Sequence, residues 1–156
     1  MGLFEDLRSE PVSELAIRKA LTVREDAAIG EAIPRMKAER LGCVILVDAA
    51  GKPTGTFTEE ELIRLLARGQ ACLAESVGKH RAAAWASVSE DEPVGKVLSL
   101  MDSRNLRFVI VTDAAGKAVG LTGQKGLMEY IADHFPREVL VRHVGRKPYI
   151  HEREGA

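Results

Sequence analysis

The chain has 156 residues, 46% of them hydrophobic, and a formal net charge of −1, enough apolar material for one compact domain or two very small ones. A near-neutral balance gives no whole-chain attraction to nucleic acid or to an anionic membrane. No apolar run approaches the roughly 18 residues of a membrane span, and the start MGLFEDLRSE is too acidic for a signal peptide, so a soluble, cytoplasmic chain with no membrane partner is expected.

Taken in order, residues 1–10 read as a polar lead-in without clear structure. From Pro11, the run PVSELAI places Val12, Leu15 and Ala16 on one helical face, and Leu21-Thr22-Val23 is short and extended. Ile29, Ala32, Ile33 and Met36 then follow the i, i+3, i+4, i+7 spacing of an amphipathic helix, with Pro34 as an expected interruption. Val44 to Val47 reads as a buried strand, Asp48 to Lys52 as a tight turn, and a second strand leads to a helix from about Thr58 to Arg68. That helix directs Leu62, Leu65 and Leu66 inward, with Gly69 as its stop. Cys43 and Cys72 lie far apart with no C-x-x-C spacing, so Cys43 in its strand reads as a buried free thiol.

The same pattern then recurs. LGCVILVDAAGKPTGTFTEEE from Leu41 is answered by LRFVIVTDAAGKAVGLTGQKG from Leu106, and the paired aspartates (Asp48, Asp113) and glycines (Gly51, Gly116; Gly55, Gly120) share one offset of about 65 residues. Residues 75–80 weakly echo the first lead helix, and residues 84–88 replace the first short strand. Ser89-x-x-Glu92 has capping-box spacing, and Val94, Val97, Leu98 and Met101 repeat the helical face. Strands at 108–111 and 118–122 and a helix at 126–134 complete the copy. The chain therefore divides into a lead-in (1–10), repeat one (11–70), repeat two (71–135) and a basic tail (136–156). The expected class is α+β: two β-α-β-β-α units, each with a three-stranded sheet. A unit this small is marginal alone, so the two sheets should pack together about a pseudo-twofold axis.

Paired units with a strand, a D-x-x-G-x turn, a strand opening into T-x-x-acid and an amphipathic helix resemble the CBS domain. Two in tandem, over residues 11–134, look like a CBS pair or Bateman module. The resemblance implies a pseudo-symmetric disc with two clefts between the repeats, binding adenosyl ligands such as AMP, ADP, ATP or S-adenosylmethionine. It also implies frequent homodimers and a role in regulation, not catalysis.

It further implies that Thr58 and Glu61 hold the ribose, Trp85, Ala86, Ser87 and Val88 face the adenine, and Arg107, beside Phe108, meets phosphate. A carboxylate can accept from both vicinal ribose hydroxyls, and free N–H groups at a helix start can face an anion. Thr58-x-x-Glu61 is equally a capping box, Trp85 equally an interface-core residue, and Arg107 equally a surface cation. Glu61 stands where the family usually has aspartate. Repeat two has Gly123 and Gly126 at the matching positions, with Lys125 between them, so one working site is expected. Glu59, Glu60 and Glu61 would repel a triphosphate, which favours a ligand of low charge.

Two other classes are weighed against this. The four histidines show no H-E-x-x-H or comparable metal spacing, there is no G-x-S-x-G, and Gly51-Lys52 sits in a hairpin, so no enzyme is expected. A ligand-free CBS pair serving dimerisation or docking on a regulated protein is the alternative. Nucleic-acid binding rests on the basic tail alone and is not favoured.

Overall fold

A computed structural model describes residues 2–69 and 71–142, with side chains described as far as residue 134. The elements run α1 (Leu3–Ser9), β1 (Arg18–Lys19), β2 (Thr22–Arg24), α2 (Ile29–Glu39), β3 (Cys43–Val47), β4 (Pro53–Thr58) and α3 (Glu59–Ala67). Then come β5 (Ser87–Ser89), α4 (Val94–Arg104), β6 (Phe108–Thr112), β7 (Ala118–Gly123) and α5 (Gln124–Arg142).

The duplication is physical down to single hydrogen bonds. In the first hairpin the Asp48 carboxylate accepts from the N–H groups of Ala50 and Lys52 at 2.8 and 3.0 Å, and Gly51 takes φ +79°. In the second, Asp113 accepts from Ala115 and Lys117 at 2.9 Å each, and Gly116 takes φ +78°. An aspartate that bonds the backbone two and four residues on, followed by a residue free to enter the left-handed region, fixes the turn in both copies. Helices α2 and α4 likewise end on left-handed residues, Arg40 and Asn105.

Two sheets result. One has the order β2-β3-β4, with β2 parallel and β4 antiparallel to β3. The other has the order β1-β7-β6-β5. The central strand β3 is apolar and buried throughout, and Val109–Val111 of β6 likewise, because both of their faces are covered. Cys43, Ile45 and Val47 of β3 meet Ile110 and Leu121 of the other sheet, with Trp85 partly buried beside them. Val44 and Leu46 face the opposite way, joining Ile29, Met36, Phe57 and Leu65 beneath the helices of repeat one. Val109 and Val111 do the same in repeat two with Val94, Val97 and Met101. The expected sheet-to-sheet packing is present.

The lead segments behave differently from the expectation. Residues 3–9 are helical, and Leu7, Val12 and Leu15 pack in the core of repeat two; β1 adds a fourth strand to that repeat's sheet through Arg18↔Leu121 and Lys19↔Gly120. The reverse exchange brings Cys72 and Val77 into the core of repeat one. Matching bridges, Pro11↔Pro93 and Ala28↔Ser76, tie the two crossings. Each lead therefore completes the other repeat, and the two units are not separate sequence blocks in space.

Smaller corrections concern helix faces. PVSELAI forms only a 3-10 turn at Val12–Glu14. Leu66 and Leu98, expected inside, are 57% and 44% exposed. Helix α2 continues through Pro34. Ser89-x-x-Glu92 bonds as expected, with the Ser89 N–H donating to Glu92 at 2.8 Å, but it closes a turn ahead of α4, whose own N-cap is Pro93. Of the basic tail, residues 136–142 continue the backbone of α5 and residues 143–156 lie outside the described residues. Among the described residues, no helix is long and apolar enough to cross a membrane.

Candidate functional site

Two cavities lie at the junction of the repeats, and they occupy equivalent positions. The first, of about 400 Å³, is lined by Thr58, Glu59, Glu60, Glu61 and Arg64 of repeat one, facing Ala82–Ala84, Asn105, Arg107 and Phe108 of repeat two. Its volume falls in the range of small-molecule sites. The second, of about 230 Å³, is lined by Gly123, Gln124, Lys125 and Gly126, facing Ala16, Arg18, Leu41 and Gly42. That is smaller than such sites usually are.

In the first cleft β4 delivers Thr58 as the N-cap of α3. The Thr58 hydroxyl accepts from the Glu60 N–H at 3.2 Å, and the Glu61 carboxylate turns back to accept from the Thr58 N–H at 2.9 Å and from its hydroxyl. The capping box is therefore made. All three bonds to Glu61 and Thr58 are local, and those to Glu61 use Oε2.

The charge of this cleft is set by three carboxylates and two guanidinium groups, Arg64 and Arg107. Arg64 is committed to Glu60 at 2.5 Å. Arg107 is exposed and takes part in no ion pair among the described residues. It lines both cavities, as do Gly42 and Phe108. A Cβ at Gly42 would stand 3.1 Å from the Glu59 carboxylate, the end of an exposed side chain.

The residues expected to face adenine are not brought in. Ala86 and Val88 point into the core of repeat two at 5% and 1% exposure. Ser87 is exposed on β5, and Trp85 packs at the sheet interface. Together Trp85, Ala86 and Ser87 line another surface cavity with Lys96, Leu100 and Arg104. The segment that reaches the first cleft lies just before them, Ala82–Ala84, anchored by the Ala82 N–H donating to the Thr56 carbonyl at 2.8 Å. Sequence reasoning missed those alanines and Asn105, and it left Phe108 beside the site. Phe108 is 38% exposed at the first position of β6, where an apolar ring on a strand would ordinarily be covered.

The second cleft is reduced by the chain itself. Strand β1 pairs with β7, and a Cβ at Gly120 would fall 2.1 Å from the Ile17 side chain and 2.8 Å from the Arg18 carbonyl oxygen. A Cβ at Gly126 would lie 3.0 Å from the Ala16 carbonyl oxygen. Gly126, which stands where repeat one has Glu61, and Gly120, the counterpart of Gly55, thus leave room for residues 16–18, whereas a Cβ at Gly123 would meet the Arg107 carbonyl oxygen at 2.5 Å. Cys43 lines this cleft, and burial first, then the charge of Glu61, pushes its thiol up to about 12. It is a structural thiol.

Comparison with known proteins agrees with this fold. A 17.7 kDa uncharacterized protein of Acidianus ambivalens is 25% identical over 122 residues, spanning 78% of this chain and 73% of the relative. A CBS domain protein from Pyrobaculum aerophilum complexed with AMP superposes with a TM-score of 0.69 at 23% identity, over 85% of this chain and 96% of that one. The CBS domain pair of protein MJ0100, in complex with 5′-methylthioadenosine and S-adenosyl-L-methionine, gives a TM-score of 0.67 at 21% identity, over 79% and 96%. The CBS domain family model matches residues 12–68 and 85–133, one copy in each repeat. This chain belongs to the CBS domain family, as a tandem pair.

Proposed function

We propose that the chain is a regulatory module that senses an adenosyl ligand in the first cleft. The observation that carries this reading is the convergence there of a helix start, a carboxylate, an exposed aromatic ring and an arginine without an ion pair among the described residues, from opposite repeats. Oε1 of Glu61 accepts from the ribose hydroxyls, Phe108 stacks on the purine, Ala82–Ala84 leave room for its edge, and Arg107 meets the phosphate. Two proteins of the same fold carry AMP, 5′-methylthioadenosine or S-adenosylmethionine, which supports the ligand class. Three carboxylates favour AMP or the sulfonium S-adenosylmethionine over ADP and ATP. The second cleft, narrowed by residues 16–18 and without a carboxylate at the helix start, is not the nucleoside site.

Such a module catalyses nothing and acts by binding two states unequally. The cytoplasmic homodimer is the natural unit, because Ile63 of α3 and Met128 of α5 stand at equivalent positions and are 65% and 63% exposed. The ligand-free docking module is favoured by one fact, that Glu61 is already engaged in its own cap.

Isothermal titration against AMP, ATP and S-adenosylmethionine, with Arg107→Ala and Phe108→Ala alongside, tests the reading. Saturable one-to-one binding of AMP, weakened in both variants, is the expected result. Heat from none of the three ligands moves the assignment to the docking module.

A further inference from the structure

Away from both clefts, α1 and α5 bring together a histidine and two carboxylates. The Nε2 atom of His134 stands 3.6 Å from an Asp6 carboxylate oxygen and 3.7 Å from a Glu10 carboxylate oxygen. One donor atom from each residue lies within 4.8 Å of the other two. The site is substantially sheltered, with side-chain exposures of 13% for His134, 17% for Asp6 and 37% for Glu10.

Three features of this cluster point the same way. First, Nδ1 of His134 lies 2.8 Å from the Tyr130 carbonyl oxygen. A carbonyl only accepts, so Nδ1 carries a hydrogen, and Nε2 is the ring nitrogen turned toward the two carboxylates. A histidine whose second nitrogen donates to a backbone carbonyl is the usual arrangement of a metal ligand.

Second, separations of 3.6 and 3.7 Å are too long for hydrogen bonds. They are close to the edge of a tetrahedron, about 3.3–3.4 Å, drawn around an ion roughly 2.0–2.1 Å from each donor.

Third, the outer partners are in place. The Tyr130 hydroxyl donates to Glu10, orienting that carboxylate. A ring nitrogen and two carboxylates thus converge on one partly sheltered point and offer three donor atoms to a cation.

We propose that Asp6, Glu10 and His134 form a binding site for one divalent transition-metal ion, zinc by its preference for a tetrahedral nitrogen and oxygen set, with water as the fourth ligand. The ion clamps the first helix of the chain onto the last helix of repeat two. No local motif announces it, because the donors come from residues 6, 10 and 134.

The test is titration of the chelator-treated full chain with zinc sulfate, followed by calorimetry and by thermal unfolding. Low-micromolar one-to-one binding is expected, with a rise in Tm. Asp6→Asn and His134→Gln should each weaken binding about 10–100-fold and abolish the Tm rise. Cys43→Ser should bind as the parent does, since Cys43 lies in the core between the sheets and not among these donors. Circular dichroism checks that each variant is folded, and if His134→Gln is not, Asp6→Asn decides alone. Absence of saturable zinc binding, or binding that survives the substitution in a folded variant, overturns the assignment.

Discussion

Glu61 carries two roles that one substitution pair can separate. Its carboxylate holds the N-terminus of α3 through the Thr58 N–H at 2.9 Å and the Thr58 hydroxyl. Glutamine at this position keeps the amide oxygen that a capping box needs, whereas alanine removes both bonds. Loss of a cap is worth about 1 kcal/mol, so Glu61→Ala should lower Tm by roughly 2–4 °C for a chain of this size, and Glu61→Gln by much less. Ligand binding should order the variants differently. A ribose diol donates to a carboxylate, and hydrogen bonds to charged groups contribute about 1.5–3 kcal/mol. Glu61→Gln should therefore weaken AMP roughly ten- to a hundredfold while leaving stability nearly unchanged. Thermal unfolding and calorimetric titration of the same samples read the two effects. If Glu61→Gln binds AMP as tightly as the parent, Glu61 is a helix cap and nothing more. If it destabilises as much as Glu61→Ala, the capping argument itself fails.

Four further outcomes are expected. Cys43 is 2% exposed with its thiol pushed up to about 12, so it should resist alkylation at pH 8 in the folded protein and react only on unfolding, as mass spectrometry would show; rapid native labelling contradicts the burial. Gly120→Ala puts a methyl group 2.1 Å from Ile17 and should cost about 1–3 kcal/mol in urea unfolding, with unchanged stability refuting the close approach of β1 to β7. The Glu92 carboxyl is held below its ordinary value of 4.5 by the Lys96 ammonium and then by the Ser89 N–H. A depressed value stabilises the fold above the unfolded-state value and is lost as pH falls through the folded one. The Glu92→Gln variant should therefore show a shallower acid limb of unfolding stability below about pH 4.5, by well under 1 kcal/mol because the Glu92–Lys96 pair is partly exposed and screened by solvent. Ile63→Lys combined with Met128→Lys should convert a dimer to a monomer in light scattering, and a monomeric parent refutes that face as the contact.

The family and the internal symmetry were legible because they rest on local chemistry. An aspartate that bonds its own turn, a glycine at positive φ and a threonine three residues before a glutamate each act within five residues, so their spacing survives in the sequence. The alternation that sends Ile45 to one face and Val44 to the other is equally local. Glu61 could be placed at the helix start on that basis, and Arg107 at the entrance to its strand.

Contacts between distant segments left no such trace. That the lead of each repeat crosses to complete the other depends on two small sheets that cannot cover themselves, and β1 takes its place only because Gly120 leaves room for it. The crossing also sets which residues face the first cleft: Ala82 bonds Thr56, so Ala82–Ala84 reach the cavity while Ala86 and Val88 turn into the core. A strand pattern fixes which residues alternate, but which face meets the ligand is decided by what packs on the other one. The cluster of Asp6, Glu10 and His134 exists for the same reason, since a lead-in that looked unstructured becomes helical where repeat two offers it an apolar surface.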